Sequence, residues 1–150
     1  GSLAMANLDD LARLGPPMLL AMLAMCLCGR GLDALSMGDD EARSLGVPVR
    51  ALRYGVIALA TLASALTVSL AGMIGWVGLL IPHLARLLAG PGNARLLPVS
   101  ACLGAIFLLC ADGLARTLTT TEIPLGILTE LLGIPAFVLV LRRARHGWTA

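Results

Sequence analysis

The sequence predicts an all-α, polytopic membrane protein, folded as a helical bundle with about five spanning helices. Two observations predict this class. Of the 150 residues, 58% are hydrophobic, with a mean hydropathy of +0.90, and only 13% are charged. Soluble domains average about 45–50% apolar and about 25% charged residues. The missing charge is what a surface in contact with lipid requires, so we expect the bilayer to surround this chain.

A spanning helix needs about 20 mainly apolar residues. Five stretches approach that length and are predicted to span the membrane: residues 14–28, 54–71, 74–88, 96–111 and 123–141. The first opens with Pro16 and Pro17, which a helix tolerates at its start. The third contains Gly75, Gly78 and Pro82, which together predict a short or broken span. No second domain is predicted, and residues 1–150 are predicted to form a single transmembrane domain fragment.

Arginine counts predict the orientation of these spans, because basic residues are retained on the cytoplasmic side. All eleven Lys and Arg residues are arginine, and most fall in three places. These are the long loop of residues 30–53, the connection of residues 86–95 and the segment of residues 142–145. With five spans, all three places lie on one side. The long loop and the C-terminus are therefore predicted to be cytoplasmic.

Several functions are disfavoured by composition. A P-loop needs a lysine to reach the nucleotide phosphates, and this chain has none, so another chain must power any ATP-driven step. The arginines form no patch, which argues against nucleic-acid binding. The four cysteines lie in apolar runs without the spacing of metal ligands, and they are predicted to be packing residues: Cys26, Cys28, Cys102 and Cys110. No bound metal or cofactor is predicted.

The long loop contains the signals of a rigid, well-delimited helix of about ten residues. Ser36 is placed to cap its N-terminus, and acidic residues follow in the first turns, where the helix dipole favours them. Asp39 and Arg43 have the spacing of an i,i+4 ion pair. Gly46 is placed to cap the C-terminus, and Pro48 prevents the helix from continuing.

Two interpretations of this helix stay open from composition alone. It lies against the membrane or its own bundle, or it docks a soluble partner through the apolar residues Met37, Ala42 and Leu45. An acidic cluster is unusual on a helix that lies near anionic lipid.

Ionisable residues inside spans are costly and are candidates for function. His83 and Arg86 share one helical face after Pro82. The structural interpretation is that Arg86 extends to the cytoplasmic interface and that His83 bonds a backbone carbonyl freed by Pro82. Metal binding by a single histidine is the weaker alternative. Asp112 and Arg116, four residues apart, predict an ion pair at the outer end of the fourth span.

Ordered sequence blocks cover nearly the whole chain: LSMGDDEARSLGV at 35–47, GWVGLLIPHLARL at 75–87, RLLP at 95–98, ADGLAR at 111–116, EIPLGILT at 122–129 and LGIPAF at 132–137. In these blocks, and in their order and spacing, the sequence resembles the iron-chelate and vitamin B12 class of ABC importer permeases. At Glu130 the sequence departs from the family, which usually has a small or apolar residue there.

The resemblance implies the second half of a ten-helix permease in the bacterial inner membrane. It implies partners: two copies of an ATP-binding subunit that holds ATP and Mg²⁺, a second permease copy or paralogue, and a periplasmic substrate-binding protein. The residues it implies for contact with the ATPase lie in the long loop: Gly38, Asp39, Asp40, Glu41, Ala42, Arg43, Leu45 and Gly46. Siderophores, haem and cobalamin are all compatible substrates.

Three other functions are weighed against this one. A secondary transporter would couple ions through intramembrane charges, for which Glu130 and His83 are the candidates. An intramembrane enzyme would need motifs such as HExxH or GxSxG, which the sequence lacks. A structural scaffold is compatible with composition. Dependence on ATP through a partner chain separates the ABC permease from these three alternatives.

Overall fold

The computed structural model describes residues 7–118 and 126–138, apart from 128, 132 and 136. Residues 126–138 are helical wherever they are described. Residues 7–118 form six helices in chain order: α1 (Leu8–Leu27), α2 (Gly29–Ser36), α3 (Asp39–Ser44), α4 (Val49–Ala71), α5 (Val77–Ala89) and α6 (Asn93–Leu118).

Three of these helices are long and apolar enough to cross a membrane: α1 with 20 residues, α4 with 23 and α6 with 26. α5 is apolar but has only 13 residues, as the glycines and proline of that stretch predicted. The fifth predicted span, residues 123–141, lies only partly within the described residues. The predicted class, an all-α polytopic bundle, is confirmed.

α1 begins at Leu8, before the predicted residue 14, and this places Pro16 and Pro17 inside the helix. The prediction that the two prolines open the helix was therefore wrong. Asp9 and Asp10 occupy the first turn, where carboxylates stabilise a helix N-terminus. Prolines are tolerated inside membrane helices because neighbouring groups satisfy the freed backbone.

α4 and α6 also extend beyond the stretches that hydropathy marked. α4 begins at Val49, directly after Pro48, and its first turns include Arg50 and Arg53. α6 continues to Leu118, through both charged residues of its last turns. A hydropathy window finds only the apolar part of a helix, whereas backbone hydrogen bonding continues into polar residues at either end.

The packing brings the predicted cytoplasmic connections together. α1 packs on α4, α5 packs on α6, and the short helix α2 packs on α6. The backbone amide of Asn93, at the start of α6, lies 2.5 Å from a carboxylate oxygen of Asp33 in α2. The long loop and the connection before α6 therefore lie at one end of the bundle, as the arginine counts predicted. Residues 142–145 lie outside the described residues.

Small residues form most of the buried contacts between these helices. Seven of the buried residues that the structure describes are alanines: Ala21, Ala34, Ala42, Ala71, Ala85, Ala111 and Ala115. Small side chains let helix backbones approach closely, which is how membrane helices associate. The large leucines mostly point outward, as lipid-facing or partner-facing surfaces do.

α5 begins from an unusual backbone conformation at Trp76, which has φ of 64°. A non-glycine residue in the left-handed region is strained by about 1–2 kcal/mol. Two neighbours pack against Trp76. Its ring lies edge-on to Phe137 with centroids 6.0 Å apart, and its Cβ is so close to Gly133 that a Cβ added there would lie only 2.8 Å away. The last described segment is thereby packed on the start of α5.

Candidate functional site

α2, α3 and the residues that join them to α4, residues 29–47, form one compact unit, which we call the α2–α3 element. Its two helices are separated at Met37 and Gly38, where Gly38 has φ of +123°. α3 contains six residues, Asp39–Ser44, and is shorter than predicted. Only glycine adopts such a φ without strain, so the chain turns here and α3 starts as a separate helix.

Ser36 does not cap α3, contrary to the prediction. It is the last residue of α2, and its hydroxyl donates to the carbonyl of Asp33 at 2.6 Å. Gly38 is the N-cap residue of α3 instead, and its carbonyl accepts from the amide of Ala42 at 3.0 Å. The three acidic residues of the first turn, residues 39–41, stabilise this N-terminus through the helix dipole.

The C-terminus of α3 is capped as the sequence predicted. Gly46 has φ of +79°, and its amide donates to the carbonyl of Arg43 at 2.9 Å. The amide of Val47 donates to the carbonyl of Ala42 at 3.0 Å. This pair of hydrogen bonds is the Schellman motif, which satisfies the last carbonyls of a helix.

A small apolar core joins α2, α3 and the start of α4. Ala34, Ala42 and Val49 are buried, with 7%, 0% and 3% exposure, and Leu35 and Val47 pack against them. Ala42 was predicted as an apolar contact for a partner, and the structure corrects that prediction. Its side chain is enclosed within the element, where it fixes the three helices to one another.

Ion pairs add a second link between α3 and α4. A guanidinium nitrogen of Arg53 lies 2.8 Å from a carboxylate oxygen of Asp39. Arg43 lies 2.9 Å from Asp40 and, at the predicted i,i+4 spacing, 4.0 Å from Asp39. All four side chains are at least 41% exposed, so each pair contributes about 0–1 kcal/mol. Their effect is to orient α3 on α4.

The outer surface of the α2–α3 element carries the remaining predicted residues. Leu45 is 63% exposed and Met37 is 59% exposed. Asp40, Glu41 and Arg43 are also exposed, and they lie between these two apolar side chains along the chain. A short rigid helix with apolar residues at both ends and charge between them is suited to a protein partner.

Sequence reasoning did not single out Asp33 or Gly29, which join the element to α6. The Asp33 carboxylate accepts from the amides of Asn93 and Ala94 at 2.5 and 3.2 Å. A Cβ built on Gly29 would lie 2.7 Å from the Cα of Ala94. The sequence contained one signal of this contact. The segment Gly90–Gly92 before α6 has no side chain able to cap a helix, so a capping group had to come from elsewhere in the fold.

The other candidate residues lie away from the α2–α3 element or at the end of α5. The predicted ion pair of Asp112 and Arg116 is present, with 2.9 Å between Oδ2 and Nε. Arg86 is exposed in the last turn of α5, where a cation is favoured by the helix dipole.

His83 and Glu130 have different surroundings. The His83 imidazole lies beside the ring of Phe137, with centroids 6.0 Å apart. Within the described residues it donates no hydrogen bond to a backbone carbonyl, so the predicted bond is not found there. Glu130 is exposed in this chain, and a Cβ built on Gly75 would lie 3.1 Å from its Oε1. The described part of the chain contains no group of three or more His, Cys, Asp or Glu residues that could hold a metal ion.

Comparison with known proteins identifies the family. The profile of the FecCD transport family matches residues 1–143. The chain belongs to this family. Among FecCD relatives, the molybdate import system permease of Haemophilus influenzae is 40% identical over 98% of this chain and 44% of its own length. The hemin transport permease of Yersinia pestis is 40% identical over 97% of this chain and 44% of its own length.

A third FecCD relative is the cobalamin import permease of Halobacterium salinarum, which is 39% identical over 95% of this chain and 38% of its own length. A solved structure, described as an inward-facing metal-chelate type ABC transporter, matches with a TM-score of 0.90 and 40% identity. That match covers 95% of this chain and 46% of the solved chain. The chain therefore spans less than half the length of the FecCD relatives it matches.

Proposed function

We propose that this chain forms the second half of the permease subunit of a bacterial ABC importer in the inner membrane. The importer moves an iron chelate, haem or cobalamin inward, and ATP hydrolysis on a separate subunit drives it. Family membership and relatives named for hemin and cobalamin support this proposal. The single observation that carries it is the geometry of the α2–α3 element.

That element has the properties that mechanical coupling requires. α3 is capped at its C-terminus by the Gly46 turn, packed through Ala42, and paired to α4 through Asp39 and Arg53. A force on its exposed face is therefore carried into the bundle, whereas a flexible loop would absorb the displacement. Ala42, Gly38 and Gly46 act by shaping the element.

The contact itself is made by the exposed residues of the element. Leu45 supplies apolar area, and Asp40, Glu41 and Arg43 supply charges that fix the register of the partner. The partner is an ATP-binding subunit, present in two copies, which holds ATP and Mg²⁺. This permease chain binds no cofactor and carries out no catalysis of its own.

The remaining partners follow from the same proposal. A second permease copy or a paralogue completes the translocation path, and a periplasmic substrate-binding protein delivers the chelate from outside. The long loop and the C-terminus face the cytoplasm, in accordance with the arginine counts. Ion-coupled transport through Glu130 and His83 is the alternative.

Replacing Leu45 with glutamate in the full-length permease is expected to abolish co-purification of the ATP-binding subunit. Leu45 is 63% exposed, so the change removes contact area and adds a charge without disturbing the core. Leu8→Glu is the matched control, because Leu8 is 84% exposed at the start of α1, at the opposite end of that helix from α2. Pull-down of the co-expressed ATPase measures both variants.

The control variant is expected to retain the ATPase at the wild-type ratio. Equal retention by both variants would show that α3 is not the docking surface. If the well-folded wild-type permease binds no ATPase at all, the ABC proposal is wrong, and ion-coupled transport becomes the better hypothesis.

A further inference from the structure

α6 receives its N-terminal cap from a different helix. The first residues of any α-helix have backbone amides without partners inside the helix. In α6 two of these amides, those of Asn93 and Ala94, donate to the two carboxylate oxygens of Asp33 at 2.5 and 3.2 Å. Asp33 lies 60 residues earlier in the sequence, on α2.

α6 has no local residue that could do this. Gly92 is its N-cap residue, since its carbonyl accepts from the amides of Arg95 and Leu96 at 3.2 and 2.9 Å. A glycine has no side-chain atom that could accept a hydrogen bond from the amides of Asn93 and Ala94. The preceding Pro91 and Gly90 also lack a side-chain acceptor. The cap is therefore a bond between two elements of the bundle, and it is charge-assisted.

A second contact lies on the same face of α2. Gly29 is four residues before Asp33, so the two residues lie one turn apart on one face. A Cβ built on Gly29 would lie 2.7 Å from the Ala94 Cα and 3.0 Å from its nitrogen. α2 is thus seated on the first turn of α6 by backbone contact and by the carboxylate.

We propose that Asp33 is a positioning residue through which displacement of α3 reaches α6 as well as α4. The buried cluster of Ala34, Ala42 and Val49 joins α2 to α3 and α4, and Asp33 joins α2 to α6. The α2–α3 element then moves two of the long helices as one body. This inference rests on the proposed function, because the ATPase supplies the displacement.

A double substitution separates this role from simple helix capping. Asp33→Ala removes the link and the cap together. Asp33→Ala/Gly92→Asp returns a carboxylate to the N-cap of α6 without restoring the link to α2. A Cβ at Gly92 meets only an oxygen of Asp33, at 3.9 Å, so the Cβ of the new aspartate fits. Ser36→Ala, which removes one hydrogen bond within α2, is the matched control.

The measurement is the distance between spin labels in the full-length permease bound to its ATPase. One label is placed at Ser44→Cys, an exposed residue of α3 outside the proposed contact, and the other at the native, exposed Cys102 in α6, with the remaining cysteines replaced. ATP hydrolysis by each sample is recorded first. A second pair, Ser44→Cys with Ile57→Cys and with Cys102 also replaced, reports α3 against α4.

In the wild type and in Ser36→Ala, the α3–α6 distance is expected to stay narrow and to keep its mean when ATP is added. In Asp33→Ala the distribution of this distance broadens, and its mean shifts with ATP by about 1–2 Å, the scale of helix shifts in switching proteins. The double variant behaves like Asp33→Ala, and the α3–α4 distance is unchanged throughout. Asp33→Asn, which keeps one acceptor oxygen, is tested in the same way if Asp33→Ala does not fold.

Three results would overturn the inference. Recovery of the narrow distance in the double variant would make Asp33 a cap only. An α3–α6 distance that already shifts with ATP in the wild type would show that α6 does not follow the element. Absence of ATPase binding and hydrolysis in the wild-type sample would remove the proposed function, and this inference would fall with it.

Discussion

Gly29→Ala is expected to destabilise the permease by about 1–3 kcal/mol, the usual cost of overpacking a filled contact. The new Cβ would lie 2.7 Å from the Cα of Ala94, a backbone atom that cannot rotate away, so α2 and α6 must separate. Separation also lengthens the hydrogen bonds from the start of α6 to Asp33. Thermal unfolding of the detergent-solubilised protein measures the loss.

Gly113→Ala is the control for this substitution. Gly113 lies inside α6, and a Cβ there meets no atom within 4 Å. Alanine in place of an interior helical glycine stabilises by up to about 1 kcal/mol, so the two variants are expected to shift the unfolding temperature in opposite directions. If Gly29→Ala is as stable as Gly113→Ala, the close contact of α2 and α6 does not exist in the folded protein.

Gly46→Val is expected to unfold α3 locally and to release the ATP-binding subunit. Gly46 has φ of +79°, a conformation that costs an L-residue about 1–2 kcal/mol and a β-branched one at least as much. α3 has only six residues and depends on this turn for its C-terminal hydrogen bonds. A cost of that size lowers the ratio of folded to unfolded α3 about five- to thirtyfold.

Gly46→Asn provides the comparison, because asparagine tolerates the left-handed region. A Cβ at position 46 meets no atom within 4 Å, so the two variants differ in backbone preference and not in packing. Co-purification of the ATPase is expected to survive in Gly46→Asn and to fail in Gly46→Val. Equal retention in both would mean that docking does not depend on a folded α3.

The features predicted correctly from sequence are those set by local chemistry. The Gly46 cap and the ion pair of Asp112 and Arg116 each depend on residues within a few positions of one another. The apolar runs also located the long helices, because residues that face lipid must be mainly apolar. The helix ends were less accurate, since Asp9 and Arg53 lie in helices but outside the apolar runs.

The features that were missed depend on tertiary contact. Serine is a favoured N-cap residue, but the turn at Gly38 separates Ser36 from α3 and places it at the end of α2. Ala42 was expected on the surface, and its burial follows from packing against Ala34 and Val49. The bond from Asn93 to Asp33 joins residues 60 positions apart, and no local pattern predicts such a partner.

The central claim is that α3 docks an ATP-binding subunit and moves with it. A thiol crosslink tests this most directly, with Glu41→Cys in an otherwise cysteine-free, full-length permease and a cysteine in the docking cleft of the co-expressed ATPase. Asp10→Cys, in the first turn of α1, is the control position. We expect a crosslink at position 41 whose yield changes with ATP, and none at position 10. A folded permease that forms no crosslink at position 41, with or without ATP, would contradict the account.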